Sequence, residues 1–173
     1  EELAKKAIYV IACLDLSVAK WIIKDLLLNP SIPNVYKEKL TYVLIVLGDK
    51  SRTGVVANNV YVKFKPKKFP FEQEIEGGFY MTAYAAAISR LIFTGTTEYD
   101  KLAMSVNRIY KNTQGKLSEE GLTRYELAGL ITKDANLEIF NDANTIAKYF
   151  KIKPERFSQL MQEILGDKND KDN

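Results

Sequence analysis

Phe79-Tyr80-Met81-Thr82-Ala83-Tyr84-Ala85-Ala86-Ala87-Ile88-Ser89-Arg90-Leu91-Ile92-Phe93-Thr94, closed by Gly95, reads as a helix rich in small residues. Ala83, Ala85, Ala86, Ala87 and Ser89 give it a surface that a neighbouring backbone can approach closely. Such a helix belongs at the centre of a core, so the stretch predicts a helical protein organised around residues 79–94. Downstream, Thr97 reads as the cap of a helix over about 98–113, with Glu98 and Asp100 at the favourable end of its dipole. Its apolar stripe is Leu102, Val106, Ile109 and Tyr110, and Gly115 ends it. Ser118 with Glu119 and Glu120 is expected to open a further helix carrying Leu122, Tyr125, Ala128 and Ile131. Residues 141–150 and 154–165 complete the set.

Upstream, residues 1–13 and 17–28 read as two helices, with Ser17 as N-cap of the second because its hydroxyl can accept an orphan amide hydrogen. Val18, Trp21, Ile22, Leu26 and Leu27 recur there at helical spacing and form the expected inner face. Asn29-Pro30-Ser31-Ile32-Pro33 is a breaker. A third helix is expected over 34–47, with Leu40, Val43, Leu44 and Leu47 inward and Gly48 as its left-handed C′ residue.

Between the two helical regions the period changes to alternation. Val55-Val56-Ala57, Asn58-Asn59, then Val60-Tyr61-Val62-Lys63-Phe64-Lys65 predict a β-hairpin over about 53–66, since Asn tolerates the positive φ of a primed turn. Val60, Val62 and Phe64 share one face of its second strand, and Tyr61, Lys63 and Lys65 the other. The fold class expected is therefore mainly α: a compact bundle or irregular helical-repeat-like array of about seven helices with one inserted hairpin. Four segments follow: an N-terminal helical lobe (1–48), the hairpin and connecting loop (49–78), a C-terminal helical lobe ending in a helix pair (79–166), and a frayed tail (167–173).

Composition bounds the function. At 46% hydrophobic and 27% charged residues, the chain has enough apolar content to bury a core and argues against disorder. It opens at Glu1, already in helical sequence, and is expected to be a piece of a longer parent protein. No apolar run approaches the ~18–20 residues of a membrane span. A single cysteine excludes an internal disulfide and fits a reducing compartment, so a cytoplasmic location is expected. Residues 1–50, 51–100 and 101–150 each sum to +1 and 151–173 to zero, without the asymmetry of a dedicated nucleic-acid surface. The local exception is 61–70, with four lysines and no acid.

The chain contains no histidine. Imidazole acid–base catalysis, serine and cysteine triads and His-ligated zinc are thereby excluded within it. Cys13 sits among Ile8, Val10, Ile11 and Leu14 and is expected to be a buried structural thiol. There is no phosphate loop, dinucleotide fingerprint or paired Cys-x-x-Cys. Glu72, Glu74 and Glu76, and the adjacent Glu119 and Glu120, read as solvated or capping charge rather than as an acid–base pair, so no enzyme activity and no cofactor are expected.

Two surfaces remain. Tyr61, Lys63, Lys65, Lys67 and Lys68 form a basic hairpin face with an aromatic, suited to an acidic partner or, alternatively, to guarding a strand edge. Residues 146–164, Ile-Ala-Lys-Tyr-Phe-Lys-Ile-Lys-Pro-Glu-Arg-Phe-Ser-Gln-Leu-Met-Gln-Glu-Ile, resemble the helix-turn-helix class. Ala147 stands at the crossing, Ile152 after the turn, Phe157 and Leu160 as anchors, and Pro154 at the first helical position. The resemblance would place Glu155, Arg156, Ser158, Gln159 and Gln162 in a DNA major groove. The charged residues of that helix, Glu155, Arg156 and Glu163, sum to −1, and Lys151 occupies a position those turns usually give to Gly.

Residues 84–93, followed by 125–131 and the helix pair, also resemble the layout of the ImmA-type metallopeptidases, in which a His-Glu-x-x-His zinc helix precedes a terminal helix pair. Ala86, Ala87 and Arg90 stand here at the key places, so that resemblance implies an inactive, metal-free relative. The expectation that ranks first is a non-catalytic helical module binding a protein partner of unknown identity. DNA binding through 142–164 is the alternative and the metal-free peptidase relative the second.

Overall fold

The computed structural model describes residues 1–49, 51–65 and 78–166. Among them are eight α-helices and one two-stranded antiparallel hairpin, the mainly helical architecture with an inserted hairpin that the sequence predicts. The chain divides into two compact units. Unit 1 gathers the described residues of 1–68 with 88–97, and unit 2 those of 69–87 with 98–173. The tail 167–173 and the loop residues 66–77 lie outside the described residues.

Unit 1 comprises α1 (Glu2–Ala12), α2 (Leu16–Leu28), α3 (Asn34–Val46), β1 (Thr53–Ala57) and β2 (Val60–Phe64). Asp15, not Ser17, is the N-cap of α2: the Ala19 amide donates to the Asp15 carbonyl at 2.9 Å, which leaves Ser17 inside the first turn. The inner face of α2 also differs from expectation. Ala19, Ile23 and Leu27 are fully buried, whereas Val18 and Trp21 point to solvent. Apolar residues occur all round this helix, so spacing alone leaves its rotation open. What fixes the rotation is charge.

Asp49 is buried, and its carboxylate accepts from Lys20 at 2.7 Å and Lys24 at 3.1 Å. The Ser51 hydroxyl donates to it at 2.8 Å. An unpaired buried carboxylate would be costly, so α2 must turn its Lys20/Lys24 side toward Asp49, and Ile23 and Leu27 turn inward with it. Burial works to raise the Asp49 pKa, but the hydrogen bonds from Lys20, Ser51 and Lys24 outweigh it and hold the carboxyl below its ordinary value.

Asp49 is delivered to this position by the end of α3. The Gly48 amide donates to the Ile45 carbonyl and the Asp49 amide to that of Leu44, the paired bonds of a Schellman close, with Gly48 at φ +80° as expected. Along α3, Leu40 and Leu44 are buried as predicted, joined by Lys37, Thr41 and Ile45, while Val43 and Leu47 are only half-buried. Lys37 enters the core because its ammonium donates to the Val56 carbonyl of β1, and desolvation lowers its pKa.

The hairpin turns at Asn58 (φ 50°) and Asn59 (φ 63°), and pairs Ala57 with Val60 through to Thr53 with Phe64. Two successive positive φ values identify the primed turn whose twist suits a two-residue connection. The Asn34 side-chain amide donates to that of Asn58 at 2.7 Å, tying the start of α3 to the turn. Phe64 is buried on the face it shares with Val60 and Val62, but Val62 is half-covered and Val60 exposed.

α4 (Phe79–Leu91) begins in unit 2 and ends in unit 1, followed by a 3-10 turn (Ile92–Thr94) and Gly95 at φ +76°. Ala83, Ala85, Ala86, Ala87 and Ile88 have no exposed surface, in keeping with a core helix. Arg90 binds Glu38 at 2.8 Å within unit 1.

Unit 2 adds α5 (Tyr99–Thr113), α6 (Arg124–Ala135), α7 (Ala143–Phe150) and α8 (Pro154–Leu160), the last running into a π-type turn (Met161–Leu165). Glu98 rather than Thr97 stands at the N-cap of α5, and its carboxylate binds Lys101 and the Glu138 amide, which together hold its pKa low. The helix expected from Ser118 starts instead at Arg124. Thr123 and Glu126 form a reciprocal capping box there, whereas Ser118 spends its carbonyl on the turn amide of Gly121. α5 joins α6 through the Ser105 hydroxyl donating to the Ile131 carbonyl at 2.8 Å and through Arg108 on Asp134, also at 2.8 Å.

Asp49→Asn is expected to cost about 1–3 kcal/mol at neutral pH, the range for losing partners of a buried polar group. Because the folded-state pKa is depressed, that stabilisation is present above the unfolded carboxylate pKa and vanishes as pH falls through the folded value. Urea midpoints of wild type and variant should therefore converge between about pH 5 and 2. Curves that stay parallel would remove Asp49 from its anchoring role.

Candidate functional site

The hairpin surface is assembled from few atoms. The register places Val56 opposite Tyr61 and Gly54 opposite Lys63. The Tyr61 ring lies across Gly54 so closely that a Cβ at 54 would sit 2.5 Å from it, so a larger residue there would push the ring aside. The Lys63 ammonium stands 5.7 Å from the centre of the same ring, a cation–π distance. Tyr61, Lys63 and Lys65 are all exposed. Lys67 and Lys68 lie outside the described residues, as do Glu72, Glu74 and Glu76.

In the helix pair 143–160 the side chains expected as crossing point and anchors lie inside. Ala147 is fully buried, and Ile152, Phe157 and Leu160 are buried with it. The turn closes by the Ile152 amide donating to the Ala147 carbonyl at 2.8 Å, with Lys151 in the left-handed region at φ 58°. A lysine thus fills the conformation usually given to glycine. Asp142 caps α7 by accepting from the Thr145 amide at 2.8 Å, which holds its carboxyl below the ordinary value. The pair seats on α6 at Gly129, where a Cβ would come within 2.7 Å of the Ile152 Cδ1 and 3.1 Å of the Phe157 ring.

On α8 Glu155, Ser158 and Gln159 are outward, and Gln162 in the π-type turn that follows is exposed as well. Arg156 is not among them. Its guanidinium donates to Glu126 at 3.2 Å, to the Gly121 carbonyl at 2.8 Å and to Gln159 at 3.4 Å, so the cation of this helix is a clamp onto the capping box of α6. Gln159 in turn donates to Glu163 at 2.8 Å.

A third surface was hidden by the expected rotation of α2. No residue of α1 is buried, and Leu3 is 81% exposed, with Tyr9 and Val10 also in solvent. On α2 the outward apolar residues are Leu16, Val18, Leu28 and Trp21, the last 72% exposed. Cys13, expected to be buried, is exposed at the end of α1, because that helix turns only its Ile8/Ile11 side inward and leaves even those half-covered. Trp21 is the chain's one tryptophan. Soluble surfaces rarely gather large apolar side chains in this number, and where they do the patch is usually a contact site. The signal in the sequence was the all-round apolar character of α2, more than one buried face can use.

Among the described residues, no cluster of three His, Cys, Asp or Glu could hold a metal. At the positions the peptidase resemblance singles out, Ala86 and Ala87 are fully buried and Arg90 is held by Glu38. Glu119 pairs with Arg124 at 3.3 Å at the surface. Burial pushes the Tyr99 phenol up to about 12, and burial with the Asp100 charge raises Tyr84, so both keep their protons near neutrality. Among the described residues, no helix is long and apolar enough to cross a membrane. No family model, curated protein or solved structure matches the chain.

Gly129→Leu should destabilise the protein by about 1–3 kcal/mol through overpacking against Ile152 and Phe157, read as a lowered urea midpoint. An unchanged midpoint would mean that the helix pair does not seat on α6 at this point.

Proposed function

We propose that this chain is a non-catalytic helical protein-interaction domain whose main contact face is the outer side of α1 and α2. The observation that carries this reading is the solvent exposure of Trp21 together with Leu3, Tyr9, Val10, Val18 and Leu28, in a unit that buries Lys37 and Asp49. Tryptophan and tyrosine are the residue types that dominate binding energy at protein interfaces. The Tyr61/Lys63/Lys65 face of the hairpin provides a second, basic contact on the same unit for acidic groups of a partner. Absence of imidazole and the exposure of the only thiol on an apolar face support action by contact rather than turnover, in a reducing compartment such as the cytoplasm.

The exposed Cys13 gives direct access to a test. A photoreactive maleimide placed there should, on illumination in extract of the source cells, yield one defined protein adduct identifiable by mass spectrometry. Trp21→Ser with Val10→Ser should abolish that adduct. Lys63→Glu with Lys65→Glu should weaken it if the hairpin takes part. An adduct indifferent to the apolar substitutions, or steady substrate conversion by the purified chain, would overturn the reading.

DNA contact through α8 is a second reading with one observation behind it: Lys148, Lys151 and Lys153 are exposed around the turn that presents Ser158, Gln159 and Gln162. Arg156 is a poor probe of it, since removing the guanidinium also releases Glu126. Ser158→Ala with Gln162→Ala leaves the clamp intact. Under this reading, duplex binding followed by anisotropy should fall steeply between about 50 and 200 mM salt and lose sequence preference in that variant. Failure to bind any duplex at about 50 mM salt removes it.

A further inference from the structure

Along α1 the exposed residues Leu3, Lys6, Val10 and Cys13 recur at intervals of three, four and three; along α2, Val18, Trp21, Asp25 and Leu28 do the same. That is the spacing by which one helix presents a continuous seam to another. Each seam holds three apolar or thiol-bearing side chains and one charge, a cation on α1 and an anion on α2. The Lys6 side chain is 71% exposed, with only a long contact of 3.9 Å to the equally open Glu2. Asp25 is exposed and has no cation in ion-pair range among the described residues.

Laid antiparallel, the two seams match position by position. Leu3 falls opposite Leu28, Lys6 opposite Asp25, Val10 opposite Trp21 and Cys13 opposite Val18. We infer that unit 1 binds a second copy of this chain, α1 of each copy against α2 of the other. The inference rests on the reading of this face as the contact surface and names its occupant. Two-fold symmetry makes the match occur twice, since in an isologous interface residue i meets residue j and j meets i. The charges fix the partner as well as the register. A single buried polar position specifies which helices pair, and here the complement of each seam lies on the same polypeptide. An unrelated apolar surface would leave Lys6 and Asp25 desolvated and unpaired.

The test uses the described chain at increasing concentration, with mass read by sedimentation. Wild type should dimerise reversibly, and Trp21→Ala should weaken it at least about thirtyfold, as for a central aromatic anchor. Lys6→Glu and Asp25→Lys, each alone, bring like charges together twice per dimer and should weaken association about tenfold or more. Mixing these two variants should restore it, because both contacts of the mixed pair are then of opposite sign. In a Cys13→Ser background, Leu3→Cys mixed with Leu28→Cys should oxidise to a covalent dimer faster than either alone. Circular dichroism on each surface variant separates loss of pairing from loss of fold. A monomer at every concentration, or a dimer that neither charge variant disturbs, overturns the inference. If the chain is monomeric while the Cys13 photoadduct joins a different protein, only the second-copy assignment falls; if there is no adduct either, the contact-surface reading falls with it.

Discussion

The buried carboxylate of Asp49 governs unit 1. A charge taken out of water must be met, and Lys20 and Lys24, one turn apart on α2, meet it with Ser51 beside them. Satisfying that group settles which side of a helix with apolar residues on every face turns inward. Once Ile23 and Leu27 are turned to the core, Trp21 and Val18 have nowhere to go but water. The outward face that carries the functional reading is thus a by-product of an electrostatic demand made elsewhere in the same unit. Gly48 is the hinge of this logic, since its positive φ lets the chain reverse and hand Asp49 to α2.

Unit 2 is governed by closeness instead. Gly129 lets the α7–α8 pair come down on α6, and Arg156 fastens α8 to the capping box that starts the same helix. The one arginine of α8 is consumed in holding the unit together. That is the physical ground on which a protein-contact reading ranks ahead of a nucleic-acid one.

Much of this was legible in the residues. The alanine-rich core of 79–94, the Asn58-Asn59 turn, the Gly48 and Gly95 closures and the buried set Ala147, Ile152, Phe157 and Leu160 follow from local rules. Rules of that kind failed where a distant partner decides. The phase of α2 depends on Asp49, more than twenty residues away, and hydrophobic spacing alone could not see it. Glu98 displaced Thr97 because its carboxylate is claimed by Lys101 and the Glu138 amide. The start of α6 was a missed local signal: Thr123-Arg124-Tyr125-Glu126 spells a capping box, and Ser118-Glu119-Glu120-Gly121 lacks the acid that would complete one. Cys13 was misjudged because its neighbours are apolar, and apolar neighbours imply burial only if the helix itself is covered.

One consequence of the exposed indole concerns how the molecule reports on itself. A single tryptophan standing in water in the folded chain stands in water in the unfolded chain too, so its fluorescence should scarcely register the loss of structure. The same emission should shift to the blue whenever that side of α2 is covered. The protein therefore carries an optical label that is nearly blind to its own folding and responsive to company.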